Sequence, residues 1–80
     1  MAQVTERERK YVNESAVHFM QVIEALEGEP ISIKRVTERT QLPYDKVRRC
    51  LITAKARGWA REIGDGWTLG HKVVRVFGGA

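Results

Sequence analysis

The feature of this sequence that most restricts its fold is the short connection between two helical segments in its middle. The first segment extends from Ser32, a good N-cap, to about Thr40, and the second extends from Pro43 to about Arg57. Proline suits the first helical position because its missing N–H would be unpaired there anyway. Only residues 41–42 lie between the two segments, so the two helices must cross at a steep angle.

Another helix precedes this pair. It begins after Asn13, a good N-cap, and continues to about Glu27, where Gly28 and Pro30 end it. Its apolar residues recur at spacings of three or four, which is typical of an amphipathic helix. The predicted buried stripe is Ala16, Phe19, Met20, Ile23 and Leu26.

Each helix of the central pair also has an apolar side. Ile33 and Val36 mark it in the first helix, and Val47, Cys50, Leu51 and Ala54 mark it in the second. We interpret Cys50 as a small buried hydrophobic residue rather than as a reactive thiol.

The periodicity changes after Gly58. Residues 59–63 alternate and predict a strand, residues 64–66 form a tight turn, and residues 67–69 form the returning strand. The two tryptophans of this hairpin are expected to anchor it to the helices. Ile31, before the central pair, is expected to be a short extended residue.

This order of elements predicts an α+β fold: a winged helix-turn-helix of three helices plus a small antiparallel β-hairpin wing. We assign the domain to residues 13–70. Residues 1–12 form a flexible or frayed N-terminal arm, and residues 71–80 form a C-terminal segment. Residues 71–77 fit either a strand or a helix.

Basic charge is concentrated in the centre of the chain. Residues 1–31 have three basic and six acidic side chains (net −3), residues 32–61 have nine and two (net +7), and residues 62–80 have two of each. Such a segment is typical of a surface that binds a polyanion, although basic surfaces also serve solubility alone.

Several classes of protein are not expected. Cys50 is the sole cysteine, which excludes an internal disulfide and a cysteine-based zinc finger and fits a reducing cytosol. No apolar run is long enough to span a membrane, and the first residues do not resemble a signal peptide. We find no catalytic motif and expect no enzyme, no cofactor and no small-molecule ligand.

Five short motifs carry a resemblance to a known family: Ile23-x-x-Leu26; Ile31-Ser32-Ile33-x-x-Val36; Leu42-Pro43-x-x-x-Val47-x-Arg49-x-Leu51; Arg57-Gly58-Trp59; and Asp65-Gly66-Trp67-Thr68-Leu69-Gly70. With them, residues 22–70 resemble the winged helix-turn-helix of bacterial regulators. The DNA-binding domain of the IclR family is the nearest in pattern, and the MarR group is a looser match. The resemblance implies this fold and its DNA-binding mode. Asp45 and Lys46 depart from it, because the family usually has small hydroxyl residues there.

The third helix supplies the main candidate contacts to double-stranded DNA. A helix of this length fits into a major groove roughly 12 Å wide, and its N-terminal half reaches the base edges. Arg48 and Arg49 are the candidates for guanine, and Tyr44 and Lys46 for phosphates. Asp45 either accepts from cytosine or simply complements the helix dipole.

Other candidate contacts lie outside the third helix. Ser32, Lys34 and Arg35, at the N-terminus of the second helix, suit a backbone phosphate. Arg61 and Gly66 would follow the wing toward the neighbouring minor groove.

Two functions remain open. The first is sequence-specific DNA binding by a small cytoplasmic regulator from a bacterium, phage or plasmid, or by the N-terminal domain of a longer regulator. A homodimer, formed through the first helix or the C-terminal segment, is expected if the target is palindromic. The second is a winged-helix protein-interaction module in a multisubunit or phage assembly, without direct DNA readout, because a fold does not fix a function.

Overall fold

The computed structural model of the chain describes residues 3–73. Its elements are, in chain order, α1 (Glu6–Arg9), α2 (Glu14–Ala25), α3 (Ile33–Thr40), α4 (Tyr44–Ala56), β1 (Ala60–Ile63) and β2 (Gly66–Leu69). Helices α2, α3 and α4 are the three that the sequence predicts. They pack against one another, and the two strands pair antiparallel beside α4. The predicted fold class, α+β with a hairpin wing, is confirmed.

The N-terminal arm contains one turn of helix. Thr5 caps α1 by accepting a hydrogen bond from the backbone N–H of Glu8, and the carboxylate of Glu8 accepts one in return from the backbone N–H of Thr5 at 3.0 Å. This reciprocal pair is a capping box. No residue of α1 is buried, so its local hydrogen bonds stabilise it rather than packing.

The buried stripe of α2 differs from the predicted one. Val22, Ala25 and Leu26 are buried, whereas Ala16 and Met20 are exposed, Met20 to 61%. The prediction was wrong for Ala16 and Met20 because α2 has apolar residues on more than one side. Spacings of three or four therefore fit two overlapping stripes, and packing against α3 and α4 selects the one centred on Val22.

The joint between α3 and α4 is as short as the sequence predicts. Ser32 caps α3 by accepting from the N–H of Arg35, and Gln41 ends this helix in the left-handed conformation with φ 60°. Pro43 is the N-cap of α4 rather than its first helical residue, one position from the prediction. The apolar side of α4 is confirmed, because Val47 and Leu51 are fully buried.

The wing is a two-stranded hairpin, and the single residue Ile31 pairs with its second strand. Ile63 pairs with Gly66, so the turn consists of residues 64–65 alone. Gly64 has φ +58°, which a two-residue hairpin turn requires. Ile31 forms an isolated bridge with Trp67 through two backbone hydrogen bonds of 2.9 and 2.7 Å. Trp67 is buried in the core, as expected of a residue that anchors the sheet.

The end of β2 packs closely against the end of α4. Gly70 donates its N–H to the carbonyl oxygen of Trp59 at 2.9 Å. A Cβ atom at Gly70 would meet the carbonyl group of Gly58 and lie 2.9 Å from the backbone nitrogen of Ala60. Only glycine therefore fits here.

The structure describes part of the segment whose conformation the sequence left open. Residues 71–73 are helical, and the N–H of Lys72 donates to the carbonyl oxygen of Gly58 at 3.2 Å. Residues 74–77 lie outside the described residues. The division into an arm, a domain and a C-terminal segment stays a prediction.

Candidate nucleic-acid interface

The outward side of α4 follows directly from its buried side. Since Val47, Leu51 and Ala54 face the core, the opposite side is left to solvent. It comprises the exposed residues Asp45, Arg48, Arg49, Ile52 and Ala56. Tyr44, in the first turn, is 52% exposed.

Arg48 and Arg49 are the two cations in the middle of this surface. Both side chains are exposed, and within residues 3–73 neither forms an ion pair with a carboxylate. An exposed guanidinium presents five N–H donors in a planar fork, which matches a phosphate or the edge of a guanine. The glutamates of α1 and α2 do not neutralise them.

Lys46 has a different environment from the two arginines. It is half-buried, and its ammonium nitrogen lies 2.9 Å from Nδ1 of His18 on α2. A lysine ammonium can only donate, so Nδ1 of His18 is the acceptor in this contact. Helices α2 and α4 are thus joined by a polar contact at the position where we expected a phosphate ligand.

A surface groove surrounds this contact. It lies between the first two turns of α2 and of α4 and is lined by Ser15, His18, Pro43, Asp45, Lys46, Arg49 and Cys50. Three of these side chains are basic or become cationic on protonation, and one is acidic. Burial raises the pKa of the Cys50 thiol, so Cys50 stays neutral in this groove.

The N-terminus of α3 contains the predicted backbone contacts Ser32, Lys34 and Arg35. Ser32 is half-buried and its hydroxyl already caps the helix, whereas Lys34 is exposed. The guanidinium of Arg35 lies 3.7 Å from the carboxylate of Glu38, and both side chains are more than half exposed. Such a pair is weak and can exchange for a phosphate.

The wing has one exposed cation, Arg61, on β1. Gly66 is half-buried, and a Cβ atom there would lie 3.1 Å from the Cβ of Pro30 and 3.2 Å from the backbone nitrogen of Ile31. The lack of a side chain at Gly66 is therefore explained by packing inside the molecule, whether or not the wing contacts DNA.

Besides the contact of Lys46 with His18, sequence reasoning missed an ion pair at this surface. The ammonium nitrogen of Lys55 lies 2.6 Å from a carboxylate oxygen of Glu62 and links the end of α4 to β1. The pair borders a shallow concavity between the helices and the wing, which is lined by Ile33, Tyr44, Arg48, Ile52, Lys55, Glu62 and Trp67. Nothing in the local sequence signals a pairing across the Gly58 turn.

Among residues 3–73, no group of three or more His, Cys, Asp or Glu side chains could hold a metal ion. No helix in this range has the length and apolarity needed to cross a bilayer.

The structure of HmgR from Pseudomonas aeruginosa is similar to this chain, with a TM-score of 0.73 and 31% sequence identity. The match covers 80% of this chain and 28% of the HmgR chain, so the chain spans little more than a quarter of the protein it matches. The fold is the winged helix of regulators. Neither the protein-family models nor the curated proteins contain a match. The assignment of a winged-helix fold is therefore based on the geometry of the chain and on its similarity to HmgR.

Proposed function

We propose that this winged helix binds double-stranded DNA as a small transcriptional regulator, with α4 in the major groove. The observation that carries the proposal is the exposure of Arg48 and Arg49 on α4, without an ion pair among residues 3–73. At 1.5 Å per residue, α4 is about 20 Å long, which suits docking in the groove.

Charge supports the same docking face. The segment from 32 to 61, with nine basic and two acidic side chains, contains α3, α4 and the first two residues of β1. A DNA duplex carries one negative charge per roughly 1.7 Å of its axis. Among the described residues, the duplex would therefore attract this basic segment most strongly.

The candidate contacts then divide by role. Arg48 and Arg49 read base edges, because a bidentate guanidinium suits guanine O6 and N7. Tyr44, Lys46 and the N-terminus of α3 bind phosphates, which fixes the register of α4 but carries no sequence information. Asp45 complements the positive end of the α4 dipole or accepts from cytosine.

The resemblance to the IclR family and the likeness to HmgR support a bacterial type of regulator acting in the cytoplasm. A palindromic target would require a homodimer. We propose no catalytic activity and no cofactor for this chain.

A second candidate function is a protein-interaction module. The observation that favours it is the exposed apolar surface of the N-terminal arm and the outer side of α2, which comprises Val4, Tyr11, Val12, Val17 and Met20. On this alternative, a protein partner would cover these residues, and the basic face of α4 would contact solvent without binding DNA.

A chemical-shift titration with random-sequence duplex DNA at two salt concentrations tests the proposal. We expect the shifts to concentrate in α3, α4 and the wing, and the affinity to fall steeply with salt. The variant Arg48→Gln/Arg49→Gln should bind much more weakly than Arg7→Gln/Arg9→Gln, which removes the same charge from exposed positions on α1. Equal affinities for the two variants, or no binding to DNA, would contradict the proposal.

A further inference from the structure

The contact between His18 and Lys46 is unusual because it joins two groups that are both able to carry positive charge. The ammonium of Lys46 donates to Nδ1 of His18 at 2.9 Å, so the contact exists only while the imidazole is neutral. Once Nδ1 takes up a proton, two cations face each other and the hydrogen bond is lost. Lys46 is then free to turn toward another acceptor.

The groups around His18 determine what that acceptor can be. From α4, the groove presents Asp45, Lys46, Arg49 and the neutral thiol of Cys50. From α2 itself, Ser15 lines the groove and the exposed Glu14 lies one helical turn before His18. Protonation would give the groove three cationic side chains with a hydroxyl donor beside them, and Asp45 would be the acidic group lining it. This combination is suited to a phosphate group.

We propose that His18 is a further ligand of the DNA backbone and that it binds a phosphodiester only in its protonated form. The inference rests on the proposed function, because the groove adjoins the outward side of α4 through Arg49. A duplex docked on α4 brings phosphates to either side of that helix. On the α2 side, a phosphate in the groove would bind His18 and the released Lys46 together, so DNA affinity would depend on pH.

The sign of this dependence follows from linkage. A phosphate that binds the imidazolium and not the imidazole favours proton uptake, so DNA affinity rises as the pH falls. Each added phosphate contact steepens the dependence of log affinity on log salt by about 0.9. We therefore expect the salt slope at pH 5.5 to be steeper than at pH 8 by about one to two units.

The test is a measurement of affinity for random-sequence duplex DNA against salt at pH 5.5 and pH 8, with the full chain. The wild type should show the steeper slope at pH 5.5, and His18→Gln should not. His71→Gln is the matched control, since His71 is exposed and lies outside this groove, and it should behave as the wild type does. Equal slopes at the two pH values, or the same change in His18→Gln, would overturn the inference.

A second measurement needs no variant. In the wild type, the imidazole resonances of His18 should titrate at higher pH when duplex DNA is present than when it is absent, and inorganic phosphate at equal ionic strength should produce a smaller shift. An equal or larger shift with inorganic phosphate would show a site for free phosphate and overturn the assignment to DNA. DNA binding that is independent of pH would overturn this inference alone, whereas no DNA binding at either pH would overturn the proposed function with it.

Discussion

Lys55 and Glu62 form the ion pair that links α4 to the wing, with 2.6 Å between the ammonium nitrogen and a carboxylate oxygen. Both side chains are about half exposed, so the pair contributes at most about 1 kcal/mol to the stability of the fold. Its main effect is electrostatic, because it neutralises one cation at the edge of the proposed DNA interface.

The variant Glu62→Gln should therefore bind duplex DNA more tightly than the wild type. Removal of the carboxylate releases Lys55 for a phosphate, and the salt slope should steepen by about one unit. Fluorescence anisotropy over a series of salt concentrations measures both quantities. Glu27→Gln, the same change at an exposed position beyond the end of α2, is the control. An equal gain in that variant would mean that net charge alone is responsible.

The variant Arg49→Ala should lower DNA affinity and relax base preference. A bidentate arginine contributes about 1–3 kcal/mol of discrimination against the wrong base pair. Selection of binding sites from a randomised duplex pool, followed by affinity measurement, would show the change. Arg9→Ala, at an exposed position on α1, should leave the selected sequence as it is. An unaltered base preference in Arg49→Ala would exclude Arg49 from sequence readout.

The variant Val47→Asp should unfold the domain. Val47 is fully buried, and an unpaired carboxylate there costs several kcal/mol, which is comparable to the whole stability of a domain of this size. Val17→Asp makes the same change at an exposed position of α2 and should remain folded. Circular dichroism during thermal unfolding distinguishes the two, and a normal transition for Val47→Asp would show that α4 faces the core differently.

The variant Gly70→Ala should be destabilised by about 3 kcal/mol, because its new methyl group overlaps the backbone of residues 58–60 and that backbone cannot move freely. Gly28→Ala is a useful comparison. Gly28 has φ +97° and open space around it, so only backbone strain of about 1–2 kcal/mol is expected. Urea unfolding of both variants should rank Gly70→Ala as the less stable, and the reverse order would contradict the close approach described above.

The cap of α1 should be lost in acid. The backbone N–H and the hydroxyl of Thr5 both donate to the carboxylate of Glu8 and lower its pKa from the usual value. A lowered pKa means that this contribution to helix stability is present above the ordinary carboxyl range and disappears as the pH falls through the lowered value. Amide chemical shifts of residues 6–9 should lose their helical character in that range. In Glu8→Gln these shifts should not change with pH in this way.

Much of the architecture could be predicted from local chemistry. Ser32 and Asn13 are N-caps in the structure because short polar side chains satisfy the free N–H groups of a first turn, wherever the helix packs. The short joint and the glycine turn of the wing are equally local. The stripe of α2 was not predictable in this way, because apolar residues such as Met20 and Val22 lie on different sides and only the neighbouring helices decide between them.

The candidate site likewise has one part that the sequence predicts and another part that it does not. The outward position of Arg48 and Arg49 follows from helical periodicity once Val47 and Leu51 are buried. The partners of Lys46 and Lys55 do not, since each pairing joins side chains on different elements. Their geometry depends on how the elements pack, which no short-range pattern records.

The bridge between Ile31 and Trp67 has a consequence for how the molecule could open. It joins the backbone ahead of α3 to the second strand of the wing by two hydrogen bonds. The chain from Ile31 to Trp67 therefore forms a loop that is closed at its ends. Helices α3 and α4 lie within this closed loop, so neither is next to a free chain end. We expect them to exchange their amide hydrogens with solvent in one cooperative event, together with the hairpin, whereas the N-terminal arm exchanges earlier.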